Sequence, residues 1–289
     1  MLYLLLAIVA ASTYSILFKI FACRDVDSLQ AIAFNYLTAT LLGILLSVGS
    51  LGSGVVLGGG DWAMAVVMGV MFMAAFVLMA RSTARSGVSV TTVAARVSLT
   101  IPVVCSYLFL PDQTEPRWGA IAVILVALVM VIWQPRKGEA SGDNHKPHLG
   151  GGLLLPFAVF LLFGLNNFCL KWTQSGLEGE GGASQLSAAI FLFAALASSG
   201  YYFAVSPVKR FSWQAMVGGV ALGVANFFTT YFMILALAVL PSGLFFPIYH
   251  IGIVAVVATL GVMLFGERLS WLQIAGLGLA AVGIVAFFV

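Results

Sequence analysis

Ten long apolar runs follow one another along the chain, and they constrain its fold more than any other feature of the sequence. A helix of about 20 apolar residues crosses the apolar core of a bilayer, which is about 30 Å thick. Because lipid offers no hydrogen bonds, a spanning segment must satisfy its own backbone polar groups, as a helix does. We therefore expect an all-α integral membrane protein with ten transmembrane helices. The runs are Leu2–Phe21, Leu29–Val48, Trp62–Ala80, Val88–Leu110, Trp118–Trp133, Leu153–Trp172, Gln185–Val205, Trp213–Val239, Gly243–Phe265 and Trp271–Val289.

The composition excludes several function classes. Hydrophobic residues make up 62% of the chain and charged residues 8%, whereas soluble domains carry about 25% charged residues. The net charge of +3 comes without a basic cluster, so we expect no nucleic-acid partner. The three cysteines are too scattered to form a disulfide framework or a metal site. The sequence also contains no P-loop, HExxH, GxSxG or EF-hand pattern. We expect no catalytic residue, no metal site and no cofactor, and hence a protein that is not an enzyme.

A polar linker at residues 135–152 separates the first five runs from the last five. Residues 1–134 and 153–289 are therefore predicted to form two five-helix repeats. Because five is an odd number, the second repeat enters the membrane in the opposite orientation to the first. Inverted repeats of this kind place a substrate site near the membrane midplane and support alternating access.

Two pairs of residues support the duplication. Lys19 and Lys171 end the first and sixth runs and lie 152 residues apart, and Arg96 and His250 lie in the fourth and ninth runs, 154 residues apart. These similar offsets predict that the members of each pair occupy related positions in the two repeats.

Lysine and arginine are concentrated in the connections that follow the odd-numbered runs. The positive-inside rule therefore predicts that these connections, including the linker, are cytoplasmic and that both chain ends face outward. The basic residues on this side are Arg24, Arg81, Arg85, Arg136, Lys137, Lys146, Lys209, Arg210 and Arg268.

Two further patterns concern the ends and contacts of the helices. Tryptophans at the run ends predict an interfacial aromatic belt. Small residues within Ala275–Gly283 predict a close helix contact in the tenth run. The tryptophans are Trp62, Trp118, Trp133, Trp172, Trp213 and Trp271.

Arg96 is the strongest candidate for a binding residue. It lies about 12 Å from the Val88 end of its run, a depth at which an ionisable side chain is costly and usually functional. No aspartate or glutamate lies inside any of the ten runs. We expect the planar guanidinium to bind a carboxylate or phosphate. The alternative is an arginine satisfied by backbone carbonyls near the Pro102 kink.

Three further intramembrane side chains are candidates for substrate contacts. His250 follows Pro247 by three residues, and it could accept a proton or bind substrate, or simply pack in a core. Asn35 and Asn226 lie nearest to mid-depth among the amides, and we expect them in a substrate cavity. The alternative for both is a hydrogen bond between neighbouring helices, worth about 1 kcal/mol.

Lys19 and Lys171 each follow a polar residue by one helical turn, Ser15 in the first run and Asn167 in the sixth. This spacing places an amine and a polar group on one helix face, as expected at a gate or cavity mouth. We include Lys19, Lys171 and Asn167 among the substrate-binding candidates. The alternative is that both lysines extend to the membrane interface.

The arrangement of the runs and several short motifs resemble the EamA-type permeases of the drug/metabolite transporter superfamily. The motifs are SLTIPV at Ser98–Val103, FFPIYHIG at Phe245–Gly252, and LFGERL at Leu264–Leu269 with Gly276 following. The resemblance implies a multi-pass permease of the bacterial inner membrane, often an exporter of amino acids or other small metabolites. It also implies a cavity lined by spans one to four and six to nine. The turn at Leu110–Glu115 departs from the family's Gly-Glu turn.

The leading hypothesis is a secondary transporter or exporter of a small anionic or zwitterionic metabolite, with Arg96 binding the acidic group and His250 opposite. Its expected partners are this small-molecule substrate and membrane lipids. A multidrug-type permease of broad specificity and a non-transporting scaffold or sensor are the alternatives. An intramembrane enzyme would need a nucleophile, acid pair or metal set at one depth, which the runs do not supply.

Overall fold

The chain forms α-helices throughout the part that the computed structural model describes, which comprises residues 1–23, 28–50, 57–86, 88–110, 115–132, 154–177, 179–205, 212–265 and 269–286. These residues contain no β-strand, which confirms the predicted all-α class. The helices are α1 (Leu2–Cys23), α2 (Ser28–Ser50), α3 (Gly59–Ser86), α4 (Val88–Val97), α5 (Thr100–Phe109), α6 (Trp118–Ile132), α7 (Leu154–Ser175), α8 (Gly179–Val205), α9 (Trp213–Val239), α10 (Ser242–Phe265) and α11 (Trp271–Val285).

Seven segments of the described residues are long and apolar enough to cross a membrane. Many of their side chains point away from the protein, such as Leu45 and Met263, which are 69% and 73% exposed. Such apolar surfaces are compatible with a multi-pass membrane protein. Three shorter apolar stretches of the described residues, Leu2–Leu17 within α1, Trp118–Ile132 and Trp271–Val285, lie within the first, fifth and tenth predicted runs. The seven segments are Gln30–Val48, Gly59–Met79, Val90–Phe109, Leu154–Ser175, Gly182–Ala204, Trp213–Val239 and Ser242–Leu264.

The tryptophans lie at helix ends, as predicted. Trp118, Trp213 and Trp271 are the first residues of their helices, Trp62 lies in the first turn of α3, and Trp172 lies near the end of α7. All five are exposed, as residues of an interfacial belt are. Trp133 lies outside the described residues.

The chain divides into two compact units, and each unit combines helices from both sequence halves. Unit 1 comprises residues 1–73 and 169–240, and unit 2 comprises residues 74–168 and 241–289. The division into repeats at 1–134 and 153–289 stays a sequence prediction, and the linker at 135–152 lies outside the described residues.

Unit 1 is organised around α2, which packs along both α8 and α9, while α1 packs along α9. Glycines allow these helices to approach backbone to backbone. Gly43 faces Ala188 on α8, and Gly219 and Gly223 of α9 face α2 at Ala31 and at the Asn35 carbonyl, respectively. Because Gly219 and Gly223 are four residues apart, they lie on the same face of α9, and both contact α2.

Unit 2 contains a second glycine contact, between α6 and α11. Methyl groups built on Gly276 and Gly283 would lie 2.8 Å from a Val131 methyl and 2.7 Å from Ile124, respectively, so only glycine fits there. The Gln273 side chain donates a 3.1 Å hydrogen bond to the Val131 carbonyl in the same contact. This contact confirms the close packing predicted from the small residues of Ala275–Gly283.

The predicted run Val88–Leu110 is one candidate span but two helices, α4 and α5, with a turn at Ser98 and Leu99. Pro102 explains the interruption, because it has no N–H to donate to the Ser98 carbonyl and its ring crowds that carbonyl. The Ser98 carbonyl instead accepts from the Ile101 N–H at 3.0 Å, and the Leu99 N–H donates to the Arg96 carbonyl at 3.3 Å. Immediately after Arg96, the backbone hydrogen bonds therefore join residues three positions apart instead of four.

Candidate functional site

Arg96 lies in the last turn of α4, is partly buried, and belongs to unit 2. It interacts electrostatically with two consecutive residues of α10, Tyr249 and His250, in the same unit. The two residues that were paired from the sequence therefore lie in the same unit and within electrostatic range of each other. Their role in substrate binding stays a prediction.

His250 is buried, with 4% of its surface exposed, and lies one turn after Pro247 in α10. Among the described residues, neither its Nδ1 nor its Nε2 has a hydrogen-bond partner. A neutral imidazole has one donor and one acceptor, and a buried group left unsatisfied costs about 1–3 kcal/mol. Such a side chain is most readily explained by a ligand or water that completes its hydrogen bonds.

Aromatic rings hold the His250 side chain in place. Tyr249 stacks on Phe245 with ring centroids 5.3 Å apart, and the His250 ring meets Tyr249 edge-on at 5.4 Å. The imidazole of His250 therefore packs next to a stacked aromatic pair of its own helix.

Helix α7 contributes a second unsatisfied buried group to unit 2. Asn166 is 8% exposed, and its Oδ1 accepts no hydrogen bond from the described residues. Its neighbour Asn167, the predicted site residue, is partly buried. Gly164 packs against Ile101, so this part of α7 lies directly beside α5. Asn166 was not among the predicted site residues, because one sequence does not reveal which of two adjacent amides faces inward.

Asn35 and Asn226 are paired in unit 1. The Asn226 Nδ2 donates to the Asn35 Oδ1 at 3.2 Å, joining α9 to α2. This is the helix-bridging arrangement considered as the alternative to a cavity role. The Asn35 side chain is fully buried, and its Nδ2 has no hydrogen-bond partner among the described residues.

An aromatic cluster next to Asn35 was not predicted from the sequence. Phe191 of α8 lies at its centre, with ring centroids 6.2 Å from Tyr36, 6.0 Å from Phe72 and 6.3 Å from Phe227. The rings of Tyr36, Phe191 and Phe227 are buried and that of Phe72 is partly buried, so four helices contribute aromatic side chains to this part of unit 1.

Lys171 is buried against α9 in unit 1 rather than extended away from the protein. Its side chain is 5% exposed, and Nζ donates to the Leu237 carbonyl at 2.7 Å and to the Gln174 Oε1 at 3.1 Å. The other predicted lysine, Lys19, lies in α1, but its side chain is outside the described part of the structure.

No family model matches this chain. An uncharacterized protein of Haemophilus influenzae is 28% identical to it over 285 residues, which cover 95% of this chain and 93% of that protein. A protein of known crystal structure superposes with a TM-score of 0.78 at 14% sequence identity, covering 99% of this chain and 95% of that one. At such low identity this second likeness concerns the fold alone, and it shows that the helices follow an arrangement that another protein also adopts.

Proposed function

We propose that this protein is a secondary transporter of a small anionic or zwitterionic metabolite, such as an amino acid or organic acid. The observation that carries the proposal is the buried His250 of α10, whose two nitrogens have no hydrogen-bond partner among the described residues and which experiences the positive charge of Arg96. In this proposal the ten apolar segments cross the bacterial inner membrane as two inverted repeats of the EamA type. Alternating access then exposes the site to either side.

The charge of the site determines the class of cargo. The guanidinium of Arg96 matches the two oxygens of a carboxylate, and a neutral imidazole adds one donor and one acceptor. The ten apolar runs contain no aspartate or glutamate that could hold a cationic cargo. For a zwitterion, the Asn166 Oδ1 in the same unit, which accepts no hydrogen bond from the described residues, offers an acceptor for an ammonium group.

The interrupted helix next to Arg96 also supports the proposal. Discontinuous membrane helices commonly form the substrate sites of transporters, because their ends present unpaired backbone groups. The turn between α4 and α5 starts two residues after Arg96. A carboxylate held by Arg96 would therefore lie next to irregular backbone in unit 2.

Uptake into proteoliposomes tests the proposal. We expect transport of at least one amino acid or organic acid by the wild type and a loss of about 10-fold or more in Arg96→Gln, because a hydrogen bond to a charged group contributes about 1.5–3 kcal/mol. His250→Leu should weaken transport as well, while Arg81→Gln is the matched control because Arg81 is exposed.

Two outcomes would contradict this assignment. Equal flux through wild type and Arg96→Gln would remove the guanidinium from the binding site. Flux of lipophilic cations that is unaffected by Arg96→Gln would instead identify a multidrug-type permease of broad specificity. If no solute moves and none binds, a scaffold or sensor role would replace transport.

A further inference from the structure

Unit 1 contains a cavity of about 180 Å³ where helix ends come together. Its walls come from the start of α1 at Tyr3, the end of α7 at Gln174, Leu177 just after that helix, the start of α8 at Ala183 and the end of α9 at Ala238. Most of the lining is aliphatic, and Gln174 and Tyr3 supply its polar side chains. The cavity thus has an apolar body and a polar wall.

The amine of Lys171 lies directly behind that polar wall. Its Nζ is 3.1 Å from the Oε1 of Gln174, a cavity-lining residue, and 2.7 Å from the Leu237 carbonyl. The Leu237 carbonyl lacks its usual helical partner because the residue four positions later is Pro241, which has no N–H. Lys171 therefore donates a hydrogen bond to a carbonyl at the carboxyl-terminal end of α9, where a positive charge is also favourable.

This arrangement leaves the ammonium incompletely compensated. An ammonium has three N–H donors, and the two partners of Lys171 in the described part of the chain are both neutral oxygens. A buried charge that faces only dipoles is costly, and an anion at hydrogen-bond distance would reduce that cost. The Gln174 Nε2 likewise donates to no described residue, so it is a second donor available at the cavity wall.

We propose that this cavity binds a small carboxylate with an apolar body. The carboxylate accepts a hydrogen bond from the Gln174 side-chain amide, and the ammonium of Lys171, which lies behind Gln174 and does not itself line the cavity, attracts its negative charge. The apolar body lies against Leu177, Ala183 and Ala238. An apolar cavity of about 150 Å³ holds benzene, so the observed volume suits a single ring or a short chain.

The inference is independent of the proposed transport function, because Lys171 lies in unit 1 and Arg96 in unit 2. Benzoate is the probe, and calorimetric titration of the purified full chain in detergent measures its affinity. We expect Lys171→Met, which removes the charge but keeps much of the volume, to weaken benzoate binding about 10-fold or more. Lys171→Arg should stay within about threefold of the wild type because it retains the charge.

Two further measurements separate the charge from the apolar cavity. Benzyl alcohol, which has the same ring without the negative charge, should bind about 10-fold more weakly than benzoate. Ala238→Leu should abolish benzoate binding by filling the cavity, and because Ala238 is exposed the larger side chain does not disturb a packed core. This variant also keeps the inference testable if Lys171→Met does not fold.

The inference fails if the wild type does not bind benzoate, if Lys171→Met and Ala238→Leu bind it as the wild type does, or if benzyl alcohol binds equally well. Arg96→Gln should leave benzoate affinity unchanged while it removes transport. If instead Arg96→Gln removes benzoate binding and Lys171→Met does not, the ligand lies at the Arg96 site. That result would overturn this inference and leave the proposed function standing.

Discussion

A methyl group at Gly223 should separate α2 from α9 and break the Asn35–Asn226 pair. A Cβ built on Gly223 would lie 2.5 Å from the Asn35 backbone oxygen and 2.6 Å from the Thr38 Cβ. Neither contact can be relieved by a side-chain rotation, because one atom is backbone and the other is attached directly to it. In Gly223→Ala the two helices must therefore move apart.

The size of the effect follows from these distances. Ordinary contacts of a Cβ begin at 3.4 Å, so the helices must separate by about 0.9 Å at this point. The hydrogen bond between Asn226 and Asn35, now 3.2 Å long, would then exceed the limit of about 3.5 Å. Overpacking destabilises the protein by about 1–3 kcal/mol, and the lost interhelical hydrogen bond by about 1 kcal/mol. Alanine favours the helix over glycine by up to about 1 kcal/mol, which offsets part of this loss. We expect a net loss of about 2 kcal/mol in the free energy of unfolding.

Unfolding in mixed micelles with increasing SDS measures this free energy. Gly278→Ala in α11 is the matched control, because a Cβ there meets open space. It should leave the protein unchanged or slightly more stable. The close-contact explanation is refuted if Gly223→Ala is as stable as Gly278→Ala. The part assigned to the amide pair is refuted if Gly223→Ala costs as much in an Asn226→Leu background as in the wild type.

Two other substitutions test contacts within single units. Gln30→Ala removes the hydrogen bond that Gln30 donates to the Tyr202 hydroxyl (3.1 Å) and the one that it accepts from the Ser212 N–H (2.8 Å). It should lower the free energy of unfolding by about 2 kcal/mol, and Tyr202→Phe, which removes only the first bond, should lower it by about half as much. Equal losses of stability in the two variants would contradict this expectation. Pro102→Ala supplies the helical N–H donor that Pro102 cannot give to the Ser98 carbonyl, so amide hydrogen exchange in α5 should slow. Transport should fall in the same variant if the turn after Arg96 contributes to the site. An unchanged transport rate would show that the turn plays no part in transport.

Residue type and spacing were sufficient to predict the helical class. The apolar runs correspond to helices because a segment in lipid must satisfy its own backbone. The tryptophans indicated helix ends, and the small residues of Ala275–Gly283 indicated the α6–α11 contact. These features depend on local composition, so a single sequence reveals them.

Contacts between distant residues were harder to predict. Asn35 and Asn226 were both recognised as intramembrane amides, but their mutual hydrogen bond spans 191 positions and no periodicity identifies the partner. Lys171 gave no sign of being buried, since a lysine at a helix end usually reaches the interface. A usable signal was Pro241, which leaves the Leu237 carbonyl without a helical donor and so creates an acceptor for a buried amine.

The break between α4 and α5 was predicted only in part. Pro102 indicated a kink near Arg96, but the tightened turn at Ser98 and Leu99 depends on which N–H replaces the missing donor.

The glycine contact between α2 and α9 also limits how unit 1 can move. Where two backbones touch with no side chain between them, sliding by even part of a turn brings a Cβ against a carbonyl, as the positions of Gly219 and Gly223 show. These two helices can therefore shift only together, as a single rigid body. Any conformational change within unit 1 must therefore bend or slide at contacts between longer side chains, and a cross-link between α2 and α9 should leave such a change intact.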